Sequence, residues 1–135
     1  MANASEALQR AFHQALVGDA GLLALLGGAR VYDDVPVRGE FPYVTFGQSL
    51  ERDWSTGSDD GWEHTITLHV WSRARGRKET QAILSAARRV LHDASLSLDD
   101  CRLVNLRHEF SEARRDTDGE TFHGVARFRA VTEVI

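Results

Sequence analysis

The apolar residues of this 135-residue chain predict an α+β fold, with an antiparallel or mixed sheet of about four to five strands and helices packed on one face. Two observations carry that expectation. Helical spacing governs the first 26 residues and the stretch 77–93, whereas a period of two governs 42–50, 62–71 and 104–132. No linker, repeat or low-complexity tract separates these stretches, so residues 1–135 are expected to form one domain. A hydrophobic share of 42% and a charged share of 27% are those of an ordinary globular protein with a core of its own.

The first helix opens at Asn3, with Glu6 three residues on completing a capping box. Leu8, Ala11, Phe12, Ala15 and Leu16 then fall on one face. Gly18 is expected to end the helix in the left-handed conformation. Asp19 caps a second, shorter helix, Ala20 to Leu26, and Gly27-Gly28 stops it. Its leucines point nearly all round, so it must be wedged against the core or a neighbouring subunit.

From Val31 the period becomes two. Pro42 to Leu50 places Val44, Phe46 and Leu50 on one face, with Thr45 and Ser49 on the other. Trp62 to Trp71 puts Ile66, Leu68 and Val70 inward and Glu63, Thr65 and Thr67 outward. Between these strands, Glu51 to Gly61 reads as a polar, glycine-bearing loop able to stay mobile until a partner orders it. Trp54 and Trp62 at its edges either close the core or, for Trp54, anchor a protein contact. A helix follows from Arg77 to Asp93, its buried stripe formed by Ile83, Leu84, Ala87, Val90, Leu91 and Ala94, with Arg88 and Arg89 facing away.

The chain closes with a hairpin. Asp116-Thr117-Asp118-Gly119 predicts a type I turn with Gly119 left-handed and a three-residue loop. That loop pairs Asp116 with Glu120, Phe110 with Ala126, His108 with Phe128, Leu106 with Ala130 and Val104 with Thr132. A slip of one residue would put every side chain on the wrong face. Glu109 then faces Arg127. Arg107 faces Arg129, an unfavourable pair unless a carboxylate from a third strand or another subunit lies between them.

Chemistry is hard to assemble from these residues. His64 and His69, five apart on one strand, project to opposite faces. His108 and His123 lie on opposite faces of the hairpin, and His13 and His92 on separate helices. Surface or half-buried histidine is therefore expected for all six, with no metal and no cofactor. The pairs Asp33-Asp34, Asp59-Asp60 and Asp99-Asp100 suit turns, since neighbours on an extended chain point apart. No nucleophile elbow, phosphate loop or dinucleotide fingerprint is present. Cys101, the one cysteine, reads as a small buried filler. The net charge of −4 argues against a ligand gripped by its phosphate backbone. Met1 to Glu6 has neither a basic nor an apolar leader region and no membrane-length apolar run follows, so cytosolic residence without a membrane is expected.

The wording of several segments is informative together. Gly28-Ala29-Arg30-Val31-Tyr32-Asp33-Asp34-Val35-Pro36, Phe41-Pro42-Tyr43-Val44 and His69-Val70-Trp71-Ser72-Arg73 resemble a family of small phage tail-completion proteins. So do Val90-Leu91-His92-Asp93-Ala94 and the hairpin Arg114-Arg115-Asp116-Thr117-Asp118-Gly119 with Gly124-Val125-Ala126-Arg127-Phe128. The family includes the tail terminators of siphophage-like particles and of gene transfer agents, and the likeness leans toward the latter. The resemblance implies a hexameric ring of copies on the last ring of the tail tube. Such a ring stops tube polymerisation, meets a head-completion (stopper) protein on its other side, and passes DNA through its lumen. It implies no catalytic residue. The chain would be cytoplasmic during assembly and then part of the particle at the head–tail junction. Arg52, Asp53, Trp54, Asp59, Asp60 and Trp62 are the expected tube contacts. Arg107, Arg129, Arg114 and Arg115 are the expected subunit–subunit contacts. Another head–tail connector, or a small enzyme or ligand-binding module, is the alternative.

Overall fold

The computed structural model describes residues 3–135; Met1 and Ala2, where the reading of the N-terminus begins, lie outside the described residues. Three helices, α1 (Ala4–Val17), α2 (Ala20–Leu26) and α3 (Lys78–Leu91), accompany five strands. These are β1 (Val31–Tyr32), β2 (Tyr43–Asp53), β3 (Gly61–Ser72), β4 (Cys101–Arg115) and β5 (Phe122–Val134). The sheet order is β1-β2-β3-β5-β4. β1 runs parallel to β2 and every other pair is antiparallel. The expected mixed α+β architecture is thus the one observed.

The helices cover one face. Leu8, Phe12 and Leu16 of α1, Leu22 and Leu26 of α2, and Ile83, Leu84, Ala87 and Leu91 of α3 are buried in one core. It also takes in Val44, Ile66, Leu68, Val70, Leu106, Ala126 and Phe128 of the sheet. Phe12 meets Phe128 edge-on, ring centroids 5.8 Å apart at 89°, the arrangement aromatic quadrupoles favour. β5 is built small under α3: a Cβ at Gly124 would lie 2.8 Å from Thr80 Cγ2 and 3.0 Å from Leu84 Cδ1. That glycine sets how closely the helix can approach the sheet.

Caps behave partly as expected. Asn3 accepts from Glu6 N at 2.7 Å, but the Glu6 carboxylate turns to Arg10 instead of back to the cap. Asp19 accepts from Leu22 N at 2.9 Å and Gly27 is left-handed at φ 81°. Gly18, however, is right-handed at φ −85°. Asp19 must begin the next helix at once, so the chain turns without leaving the right-handed region. α3 ends at Leu91, earlier than expected; His92 is extended and Asp93 is left-handed at φ 56°.

Three bulges change the expected register. Between Phe46 and Ser49, β2 carries one extra residue against β3. The bulge moves Leu50 opposite Thr65, on the face away from Val44 and Phe46, where it is 42% exposed. In β4 the pairs Leu106–Ala130, Arg107–Arg129 and His108–Phe128 hold. Bulges at 103–105 and 108–110 shift both ends, so Phe110 pairs with Arg127, Ser111 with Ala126 and Leu103 with Thr132. Glu109 becomes the unpaired bulge residue, and Arg127 instead lays its guanidinium over the Phe110 ring at 4.7 Å. The turn adjusts accordingly: Asp116 N donates to Thr121 O at 2.7 Å, leaving four residues between them in place of three. Gly119 is left-handed at φ 75° as expected. Asp118 fixes the longer loop by accepting from the Glu120 and Thr121 amides and the Thr121 hydroxyl. Local turn chemistry alone could not reveal that device.

Candidate interaction surfaces

Both sheet edges have free lengths. β1 covers only Val44 and Thr45 of β2, and everything from Gly47 to Asp53 is exposed. On the other edge, the α3–β4 connection shields the first half of β4. Asp93 N donates to Leu106 O at 2.9 Å, His108 N donates to His92 Nδ1 at 3.0 Å, and Ser97 bridges Arg102. Beyond His108 no backbone among the described residues pairs with that edge, so Glu109–Arg115 is left open by them. Native proteins blunt or cover such edges unless another chain uses them.

The segment Glu51–Gly61 differs from the expected loop. Glu51, Arg52 and Asp53 pair with His64, Glu63 and Trp62, because β3 is already held by β5 on its other side and can template β2 to its end. The remaining residues, Trp54 to Asp60, form a hydrogen-bonded turn. Trp54 N donates to Gly61 O and Thr56 N to Asp59 O, both at 2.8 Å, and Ser55 N donates to Asp53 Oδ1. Trp54 does not close the core: it is 52% exposed, with the Arg129 guanidinium 5.2 Å from its ring centroid. Trp62 is half-buried, while Arg52, Asp53, Asp59 and Asp60 surround the turn in solvent. These six residues therefore share one end of the sheet.

The four arginines do not form one patch. Arg129 is half-buried and gives Nε to Glu63 Oε2 at 2.7 Å, with its terminal nitrogen also 2.7 Å away. Glu63 comes from β3, so a third strand supplies the carboxylate that relieves the Arg107–Arg129 juxtaposition. Arg107 itself is exposed. Arg114 and Arg115 lie at the far end of β4, on its free length. Arg114 stands opposite His123 on the open face, and Arg115 lies over the Phe122 ring at 5.4 Å on the helix side.

The open face also holds a cluster that sequence reasoning missed. His69 Nδ1 lies 2.7 Å from His123 Nε2, and the His123 ring stacks on Trp71 at 4.1 Å and 2°. The Trp71 indole donates to Thr45 Oγ1 at 3.0 Å. Burial lowers the pKa of both histidines; Arg114 adds to the effect at His69, and His69 and Arg114 add to it at His123. The missing signal was the pairing of β3 with β5, which puts His69 beside Val125 and Trp71 beside His123. His64 and His123 are buried, contrary to the surface or half-buried expectation. His64 faces the helices and bonds Thr132 Oγ1 at 2.9 Å, a partner that only the β3–β5 ladder provides. Cys101 is buried, and burial raises its thiol pKa. Among the described residues no group of three or more His, Cys, Asp or Glu side chains is placed to hold a metal ion, and no helix is long and apolar enough to cross a membrane.

Known proteins share this sequence pattern and fold. A chain from the virion of a native gene transfer agent particle superposes with a TM-score of 0.87 at 34% identity, covering 98% of this chain and 99% of that one. The tail completion protein gp17 of Bacillus phage SPP1 is 29% identical over 126 residues, 93% of this chain and 92% of its own length. The structure of that phage's gp17 superposes with a TM-score of 0.62 at 26% identity, covering 98% of this chain and 91% of that one. Residues 10–133 match the family described as Tail completion protein gp17; the chain belongs to that family of phage-type tail proteins.

Proposed function

We propose that this chain is the tail terminator of its particle. Six copies form a ring that sits on the last ring of the tail tube and stops its polymerisation. The ring's opposite side joins the head-completion protein, and DNA passes through the lumen. The observation that carries this reading is the pair of free edges on opposite sides of one sheet, 47–53 on β2 and 109–115 on β4. Two different free edges on one subunit suit a heterologous contact, which closes into a ring when the rotation permits. Arg114 and Arg115 lie on the free length of β4, and Arg107, backed by Arg129, projects from the open face beside it. The tube contact is the end bearing Arg52, Asp53, Trp54, Asp59, Asp60 and Trp62, where Trp54 offers a large exposed anchor held by Arg129.

In this role the chain works through surfaces and catalyses no reaction. Several of its partly buried polar side chains are engaged in local structural bonds, such as Ser72 to Glu79 at 2.7 Å and Trp71 to Thr45. The net charge of −4 lets DNA slide past where a basic subunit would retain it. The test is particle production with the triple substitution Trp54→Ala, Asp59→Lys, Asp60→Lys. Overlong tails or tailless heads are expected in electron micrographs. Particles with tails of ordinary length would overturn the tube contact.

A further inference from the structure

The end of the sheet opposite the β2–β3 turn carries four cations that no feature above uses, beside Arg115 at the end of the β4 edge. Arg73, Arg75, Arg77 and Lys78 fall within six residues of the β3–α3 connection, and all four are exposed. The strand ladder brings Arg115 to them. The guanidinium groups of Arg77 and Arg115 both lie over the Phe122 ring, at 5.6 and 5.4 Å. Arg73 lies over Phe41 at 4.4 Å and gives Nε to Thr121 Oγ1 at 3.4 Å. Among the described residues none of these five cations has a carboxylate within 4.0 Å, whereas Arg10, Arg30, Arg89, Arg102 and Arg129 all do. Arg38, Arg52, Arg88, Arg107, Arg114 and Arg127 also lack such a partner among the described residues, but nowhere else in the sequence do four cations fall within six residues, so positive charge is densest at this end. The other end has the reverse character: Asp53, Asp59, Asp60, Asp99 and Asp100 are exposed there against Arg52 and Arg102.

We infer that the Arg73–Lys78 connection, with Arg115, is the docking surface for an acidic protein, the component joined to the ring on the side away from the tube. The inference rests on the tail-terminator reading for which side is which. Aromatic rings hold three of the guanidinium groups in place, so their ordering cost is partly met before a partner arrives. The neighbouring turn argues for a protein over DNA. Asp118 and Arg73 share the Thr121 hydroxyl, so this carboxylate, with Asp116 and Glu120 on the same turn, would oppose a continuous phosphate backbone, whereas a protein can place its carboxylates against the cations and other groups against the turn. Phe122 is 4% exposed and Arg73 lies over the half-buried Phe41, so the rings here carry guanidinium groups instead of standing open for stacking on bases.

The test compares particles made with Arg75→Glu/Arg77→Glu, Arg75→Lys/Arg77→Lys, and the Trp54, Asp59 and Asp60 triple variant. The glutamate variant should fold normally, as its sites are exposed, and circular dichroism of the purified chain verifies it. Expected are tails of ordinary length that stay separate from filled heads, with joined particles down by about tenfold or more. The lysine variant should join at near wild-type yield. Joining unchanged in the glutamate variant overturns the inference. So does loss of binding to a 30-base-pair duplex with joining intact, which would assign the cluster to DNA. If the triple variant leaves tail length unchanged, the tube contact, and with it the choice of which side faces the tube, fails separately, whatever the glutamate variant does.

Discussion

His69 and His123 are joined nitrogen to nitrogen at 2.7 Å, with His123 lying flat on Trp71. One ring must donate and the other accept, so the contact exists only while at least one imidazole is neutral. The tautomers are not fixed by the distance, but the constraint on charge is.

This gives a pH dependence whose sign is set. Burial is the first cause of the lowered pKa at His69, His123, His64 and His108. The unfolded chain therefore binds these protons first, near the ordinary histidine value of about 6.5. Stability should be complete above that pH and fall as the pH drops through it toward the lower folded values. Thermal melts from pH 8 to 5.5 read this out; a melting temperature that holds constant or rises on acidification contradicts it. His69→Gln should flatten the slope in part, since His64 and His108 keep theirs.

Gly47 makes room for the pair. A Cβ there would lie 2.5 Å from His69 Cδ2, and the ring cannot swing aside without leaving His123. Gly47→Ala should cost about 1–3 kcal/mol in chemical denaturation. Combining it with His69→Ala should return most of that loss. A strictly additive double variant would show that the two positions do not collide.

Glu63 serves as the counterion that lets Arg129 sit opposite Arg107. Its side chain is 17% exposed and that of Arg129 is 29% exposed, so solvent screens the contact only in part. Glu63→Gln should destabilise by about 1–3 kcal/mol, and added salt should recover some of it. Arg107→Gln in the same chain should relieve the variant by removing the like charge. If Arg107→Gln instead adds its own penalty, the strain lies elsewhere.

Phe12 tests how far α1 is built into the core. It is fully buried against Phe128, so Phe12→Ala should cost about 3–5 kcal/mol, a large part of the roughly 5–15 kcal/mol that holds a domain together. A melting temperature within a few degrees of wild type would mean that α1 is not integral to the core.

What the amino-acid order determined on its own was local. The period of 3.6 against two, the Asn3 and Asp19 caps, the stop at Gly27, the left-handed Gly119, and the buried stripe of α3 need only neighbours along the chain. The central rungs of the last hairpin followed from the same reasoning, because burial of Leu106 and Phe128 on one face permits one register. The tertiary structure decided what depends on a third strand. β3 lies between β2 and β5, and that placement extends β2 through Asp53 and gives Glu63 to Arg129. It also joins His69 to His123 and gathers Arg73, Arg77 and Arg115 around Phe122. Pairing between strands distant in sequence is chosen by the whole buried face at once, and a bulge that costs one rung can shift every residue beyond it.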